Sequence, residues 1–589
     1  MDGEHIDAFA IRTGQTSTVT RPPTGCRKQW QSLAPRLVGA ASELGRRLCT
    51  ELFTRRVKKY LLPRDTRGRK ANESMHKAQV ALRRDAVIGE TDRRLFGAFV
   101  EHVGRCVYGG IYEPGHASAD ENGFRRDVLD LVRELGPTIV RYPGGNFVSG
   151  YCWEDGVGPR ERRPRRLDLA WLSTETNAFG TNEFVDWCRS ACVEPMLAVN
   201  LGTRGGDAAR RLLEYCNHPG GTELSDLRAA HGWPAPHDIR LWCLGNEMDG
   251  PWQMETKSAD EYGRVAAQAA KMMKLFDPTL ELAACGSSGR NMPSFGTWEE
   301  AVLAHAFEHV DFISLHTYLN NFAGDTPALL ASADLVDGFI DEVVAIADAA
   351  AVRARSSRRM LLSFDEWNVW YRTRAGMRAR VRPDWPVAPP ILEEIYSMED
   401  ALAFGGLCIA LLNHADRVKV ACLAQLVNAI APIMTETGGA AWRQTIFHPF
   451  AQMSRHGRGR VLRAEVDVAT YPAVYLDPIA DVRPSFPLPG VPFLKLAAVE
   501  SFAGDTVTLF ALNRDLERPL SLDVALDGFA PMALADAMQL CHPDLRATNT
   551  RERPDEVAPR PLRDVACEPA RLQAVLAPAS WNTIVLARA

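Results

Sequence analysis

From about residue 94 the chain repeats one pattern: a short apolar run ending in a polar or glycine-rich cluster, then a stretch with apolar residues at three- and four-residue spacing. Eight such runs occur, in the order RLFGAFVEH, TIVRYPGGN, PMLAVNLG, IRLWCLGNE, LELAACGSS, FISLHTY, MLLSFDEWN and VKVACLAQLVN. The intervening stretches include FRRDVLDLVRELG, DAARRLLEYC, SADEYGRVAAQAAKMMKLFD and LVDGFIDEVVAIADAA. Eight strand-helix units predict an α/β fold, a closed (β/α)8 TIM barrel over residues 94–455. Near-continuous apolar strands fit that fold, because the barrel interior buries one face of each parallel strand and the outer helices bury the other. An open doubly wound sheet is the alternative arrangement of the same units.

After about residue 455 the pattern changes to short alternating pieces punctuated by proline, glycine and aspartate, such as VLRAEVDV, LSLDVALDGF and SWNTIVLA. These predict a C-terminal antiparallel β-sandwich over residues 456–589. The segment 75–93, with the alternation MHKAQVALRRDAVIGE, is expected to add a strand to it and so tie the two ends of the chain together. Residues 1–74 differ from the rest: they are basic and arginine-rich, and RRLCTELFTRRVKKYLL has the pattern of a cationic amphipathic helix. A poorly ordered extension is expected there, with Met75 as an alternative start of translation. Peptides from before Met75, recovered by mass spectrometry of native protein, would remove that alternative.

Composition narrows the partners. The 589 residues carry a formal net charge of -5, which gives no electrostatic reason to expect nucleic acid or an anionic membrane. The 13 cysteines lie scattered in apolar stretches such as LWCLGNE and KVACLAQ, the pattern of reduced core thiols in a cytoplasmic protein. No window approaches ~18 uninterrupted apolar residues, and the N-terminus has no apolar core of a secretory signal. There is no HExxH and no paired CxxC, so neither a metal nor another cofactor is expected.

In a TIM barrel the active site lies at the C-terminal ends of the strands. Here seven of the eight runs end in hydrogen-bonding or ionisable groups: Glu101 and His102, Arg141 and Asn146, Asn200, Asn246 and Glu247, His316 and Tyr318, Asp365 and Glu366, Gln425 and Asn428. Such a rim suits a hydroxyl-rich ligand, and a sugar is the obvious one. Glycosidic cleavage needs two carboxyl groups, and Glu247 and Glu366 close the fourth and seventh runs. Trp242, Trp252, Trp367, Trp370 and Tyr371 flank them as stacking surfaces for sugar rings or as core. Strict alternation along a strand would turn Asp365 away if Glu366 faces the pocket, and Asn246 with Glu247 can both face inward only if the strand has ended or bulged. A lone His316 reads as structural. The glycines of RYPGGN admit a phosphate cradle, although they match neither the P-loop nor the dinucleotide pattern.

At these strand ends the sequence resembles the family 51 glycoside hydrolases, the intracellular α-L-arabinofuranosidases of a large retaining clan built on TIM barrels. The likeness covers essentially everything after Met75. Its landmarks are FGAFVEHVGRCVYGGIYEPG, IVRYPGGNFVSGYCWEDGVGP, LWCLGNEMDGPWQ, FISLHTY, SFDEWNVWY and AQLVNAIAPI, closing with WRQTIFHPF. The resemblance implies that Glu247 is the general acid/base and Glu366 the nucleophile. It implies that Glu101, Asn146 and Asn246 hold the furanose hydroxyls with help from Gln425, that Arg141 and Tyr318 support the nucleophile, and that Trp298 walls the leaving-group side. It also implies arabinofuranosyl oligosaccharides as substrate and frequently a hexamer. A separation of ~5 Å between the carboxyls is then expected, against ~6.5–9.5 Å for inversion. The competing readings are another retaining enzyme on the same barrel, such as a β-xylosidase or endoglucanase, and a catalytically silent carbohydrate-binding protein.

Overall fold

The structure, a computed structural model, describes residues 75–371, 384–477 and 484–589. The amphipathic helix expected before Met75 lies outside the described residues. The closed barrel has eight parallel strands, strands 1 to 8 in chain order: Gly97–Phe99, Ile139–Tyr142, Glu194–Ala198, Leu241–Leu244, Glu281–Ala284, Phe312–Leu319, Leu361–Val369 and Val418–Ala424. Each comes from one of the eight apolar runs, and strand 8 pairs in parallel with strand 1 to close the ring.

The apolar runs are unbroken because alternate side chains serve two cores. In strand 4, Leu241 and Cys243 join Phe99, Ile139, Met196, Phe312 and Val420 inside the barrel, whereas Trp242 and Leu244 pack outward under the helices. The helix Ala259–Phe276 shows how the outer layer is built. Ser258 accepts from the Glu261 amide while the Glu261 carboxylate accepts from the Ser258 amide, and Tyr262, Ala266, Ala269, Ala270 and Met273 form the buried stripe.

The C-terminal part is a ten-stranded sheet around its own apolar core, which includes Leu462, Leu496, Leu509, Leu522, Leu572 and Ile584. The strand His76–Glu90 lies within it, antiparallel to Gly459–Val468 and parallel to Leu520–Asp527, with Ala78, Val80 and Leu82 turned into the core. The sheet is therefore mostly, but not wholly, antiparallel. Barrel and sheet meet along the helices Ala333–Arg353 and Met398–Asn413. At Gly405 a Cβ would stand 2.5 Å from the Trp581 ring, so glycine is what lets this helix reach the last strand.

An ion network crosses the same junction. Lys495 of the sheet bonds Asp334 at 2.9 Å and also Asp337, while Arg514 donates to Asp334 at 2.9 Å and His414 contacts Asp337 at 3.3 Å. Burial works against the two aspartates, yet Lys495, with Arg514 on Asp334 and His414 on Asp337, holds both carboxyls below their ordinary range. Because the folded chain lowers these values, the stabilisation is complete above the unfolded value of 3.8 and fades as pH falls below it. Lys495→Met is expected to cost about 2 to 3 kcal/mol at neutral pH, less than the ~3–5 kcal/mol of a fully buried pair because the aspartates keep some solvent. Thermal unfolding checks it: the midpoint of the variant should fall by a few degrees at pH 7, and the difference should narrow in acid.

Candidate active site

The strand ends bring Glu247 and Glu366 together with His316 between them. His316 Nδ1 lies 2.9 Å from Glu247 Oε1 and 3.7 Å from Glu366 Oε2, and a carboxylate oxygen of each glutamate lies within 4.8 Å of the other. That closeness fits the shorter of the two carboxyl separations known for glycosidases. These three residues are the one group among the described residues whose histidine and carboxylate ligand atoms approach so closely, and their mutual contacts account for it.

Each glutamate has its own setting. Glu366 Oε1 accepts from Arg141 Nη1 at 2.7 Å, and Oε2 accepts from the Tyr318 hydroxyl at 2.7 Å. Burial and the Glu366 charge push the Tyr318 phenol well above its usual range, so it stays a donor. The second Arg141 nitrogen, Nη2, donates to Asn246 Oδ1 at 2.7 Å, which leaves Asn246 Nδ2 buried with no hydrogen-bond partner among the described residues. Glu247 instead accepts from the Trp252 indole at 2.6 Å through Oε2. Burial raises the Glu247 carboxyl above its ordinary value, and the Glu366 charge adds to that against the hydrogen bond from His316. One carboxyl is thus held by cationic and phenolic donors, and its neighbour is biased toward keeping a proton.

Asn246 and Glu247 both face inward because strand 4 has ended at Leu244, after which Gly245 and Glu247 take positive φ values of 94° and 43°. Glu101 sits on the other side of the pocket. Phe147 N and the Trp171 indole donate to its Oε1 at 3.0 and 2.9 Å, and Gln425 Nε2 donates to Oε2 at 2.8 Å. Burial, with the Glu366 charge helping against these donors, pushes Glu101 up to about 7. Gln425 also accepts from the Glu101 amide, so its role is to hold Glu101. Asn146 is fixed by Gln253, whose Nε2 donates to Asn146 Oδ1 at 2.7 Å. The RYPGGN glycines make the pocket floor: a Cβ at Gly145 would stand 3.1 Å from Glu366 Oε1, 3.2 Å from Glu101 Oε2 and 3.5 Å from Asn246 Nδ2. A turn lined by two carboxylates does not suit phosphate.

Three expectations need correction. Trp298 is not a pocket wall: it is 2% exposed, stacks on Tyr262 at 5.4 Å and donates its indole hydrogen to the Cys285 carbonyl, within the layer behind the barrel. Asp365 does not face away. Between Ser363 and Glu366, strand 7 has one more residue than strand 6, and the same excess appears against strand 8. This bulge turns Asp365 inward beside Glu366, where its Oδ1 lies 3.0 Å from His316 Nε2. His316, read as structural, stands at the centre of the site. Of the five flanking aromatics, Trp242, Trp367 and Tyr371 are core, Trp370 packs edge-on against Tyr318, and Trp252 keeps 39% of its surface exposed. Asn200 and Asn428 bond loop groups: Asn200 holds Tyr151 O and Thr203, and Asn428 holds Arg105 O and Thr435. Trp171 and Gln253 were not singled out from the sequence, because only the fold brings them against Glu101 and Asn146.

The chain is similar to known proteins over most of its length. Residues 131–327 match the family profile described as α-L-arabinofuranosidase 1 domain, and residues 365–580 match the α-L-arabinofuranosidase C-terminal domain. The chain is 52% identical over 501 residues to the intracellular exo-α-(1→5)-L-arabinofuranosidase of Halalkalibacterium halodurans, covering 85% of this chain and 97% of that protein. It is 51% identical over 512 residues to intracellular exo-α-(1→5)-L-arabinofuranosidase 1 of Bacillus subtilis, covering 87% and 99%. A solved family 51 α-L-arabinofuranosidase from Bifidobacterium longum superposes with a TM-score of 0.81 at 46% identity, over 87% of this chain and all of that one. By fold, by the order of its motifs and by identity over most of its length, the chain belongs to the family 51 α-L-arabinofuranosidases.

Proposed function

We propose that the protein removes terminal non-reducing α-L-arabinofuranosyl groups from arabinan- and arabinoxylan-derived oligosaccharides by double displacement, with Glu366 as nucleophile and Glu247 as general acid/base. The observation that carries the mechanism is that an oxygen of each carboxylate lies within 4.8 Å of one on the other, which supports the short separation of a double displacement rather than the wider one of inversion. In the first step a Glu366 oxygen attacks the anomeric carbon, the glycosidic bond breaks, and the leaving oxygen takes a proton from Glu247. Esterification removes the Glu366 charge, and with it one of the causes that keep Glu247 protonated. In the second step water attacks the same carbon, its proton passes to Glu247, and the bond to Glu366 breaks with the electron pair returning to the carboxylate. Glu101, Asn146 and Asn246 are the ring-hydroxyl partners in this reading, and Trp252 is the surface that meets the leaving group.

The cellular setting and the assembly belong to the same reading. The two relatives from Halalkalibacterium halodurans and Bacillus subtilis are called intracellular, and the 11 cysteines of the described residues are free thiols, which supports a cytoplasmic enzyme. A hexamer is carried by family likeness, and sedimentation of the full chain tests it. Proton NMR of the first sugar released from an aryl α-L-arabinofuranoside tests the mechanism. The α-anomer should form first, and initial appearance of the β-anomer would overturn double displacement.

A further inference from the structure

Strand 7 spends a bulge on turning a second acid inward beside Glu366, yet that acid is only 2% exposed and lies behind His316, out of reach of a sugar. Asp365 Oδ1 lies 3.0 Å from His316 Nε2, and its Oδ2 accepts from Cys243 Sγ at 3.4 Å and lies 3.7 Å from Arg141 Nε. With Glu247 Oε1 at 2.9 Å from Nδ1, the His316 ring has a carboxylate oxygen on each nitrogen, the environment of a doubly protonated imidazolium.

We propose that Asp365 is a positioning residue for the second half of the reaction, acting through His316 to keep a positive charge beside Glu247 after the Glu366 charge has been consumed. This deepens the double-displacement reading and rests on it. In the resting enzyme His316 is surrounded by Glu247, by Asp365 and Glu366 of strand 7, by Arg141 and Cys243, and by Tyr318 of its own strand. Burial works against its charge, but the Glu366 charge and the bonds to Asp365 and Glu247 push it up to about 10. In the glycosyl-enzyme the Glu366 contribution is gone. Asp365 cannot be esterified by the sugar, so its charge persists and holds the imidazolium. That cation favours the ionised form of Glu247, the form that must accept the proton of the attacking water. Asp365 therefore matters more to release of the sugar than to its capture.

A 2,4-dinitrophenyl α-L-arabinofuranoside, whose leaving group needs no proton, isolates that half. With Asp365→Asn, kcat is expected to fall about tenfold, part of the ~10²–10⁴ available from general base catalysis. KM should fall with it, so that kcat/KM changes by less than about threefold. Stopped flow should show a burst near one equivalent of dinitrophenol. Azide, a nucleophile that needs no base, should restore turnover and give arabinofuranosyl azide of retained configuration. Because His316 would lose its proton more readily, the alkaline limb of kcat should move to lower pH. His316→Gln, which removes the charge while leaving Asp365, should behave alike and carries the test if the first variant does not fold. Equal losses in kcat and kcat/KM, without burst or azide response, would reduce Asp365 to scaffolding and overturn the proposal. Glu247→Ala run in parallel separates the two ideas: azide rescue there with no rescue in the other variants sinks only the relay, whereas no rescue in Glu247→Ala sinks the acid/base assignment beneath it.

Discussion

Glu366→Ala is expected to fold and to lose turnover on an aryl α-L-arabinofuranoside by a factor on the order of 10⁵ or more, as when the nucleophile of a covalent mechanism is removed. The truncation opens a space beside Arg141, whose Nη1 no longer has its carboxylate at 2.7 Å and offers a cationic seat to a small anion. Added azide should therefore attack the anomeric carbon from that side and yield the β-configured glycosyl azide, the inverted product. Its pH dependence has a definite sign. Glu247 loses the Glu366 charge that helped to raise it and keeps His316 beside it, so its acid form retreats to lower pH. Rescue should accordingly be strongest on the acid side of the wild-type optimum. Product NMR and a pH series of azide-dependent rates check both statements, and hydrolysis at the wild-type rate would refute the role of Glu366.

Glu247 and Glu366 were legible in the sequence because both terminate apolar runs, and a barrel presents its strand ends at one rim. The eight strands were legible for the same reason, since burial on both faces leaves runs that polar residues do not interrupt. Asp365 was misread because a bulge leaves no mark in a hydrophobic pattern. One extra residue between Ser363 and Glu366 reverses the face of the residues after it, and the pattern SFDEW is compatible with either register. Trp298 was misplaced by carrying a role from likeness onto a side chain whose indole is satisfied by the Cys285 carbonyl behind the barrel. Trp171 and Gln253 needed tertiary structure, since each lies far along the chain from the residue it fixes. The functions of Arg141 and Tyr318 came from family likeness, and their distances to Glu366 now give that likeness a physical content.

Arg141→Met should be the most damaging change that leaves Glu247 and Glu366 in place. The guanidinium is 1% exposed, lies over the Phe99 ring at 4.6 Å, and serves three groups at once: Glu366, Asn246 and, at 3.7 Å, Asp365. Methionine retains much of the packing on Phe99 but leaves two buried carboxylates facing each other across His316 with no guanidinium. Removing one partner of such a cluster costs about 3–5 kcal/mol of stability, and kcat/KM should fall by a factor on the order of 10³, as for loss of a preorganised electrostatic partner. Arg141→Lys separates charge from shape. A single ammonium restores charge near Glu366 but cannot donate to Glu366 and Asn246 from one planar fork, so its loss should be intermediate, with Asn246 misaligned and KM raised. If the lysine and methionine variants proved equally active and equally stable, the charge of Arg141 would not be what holds this site, and the assignment of Glu366 as an ion supported from strand 2 would fall with it.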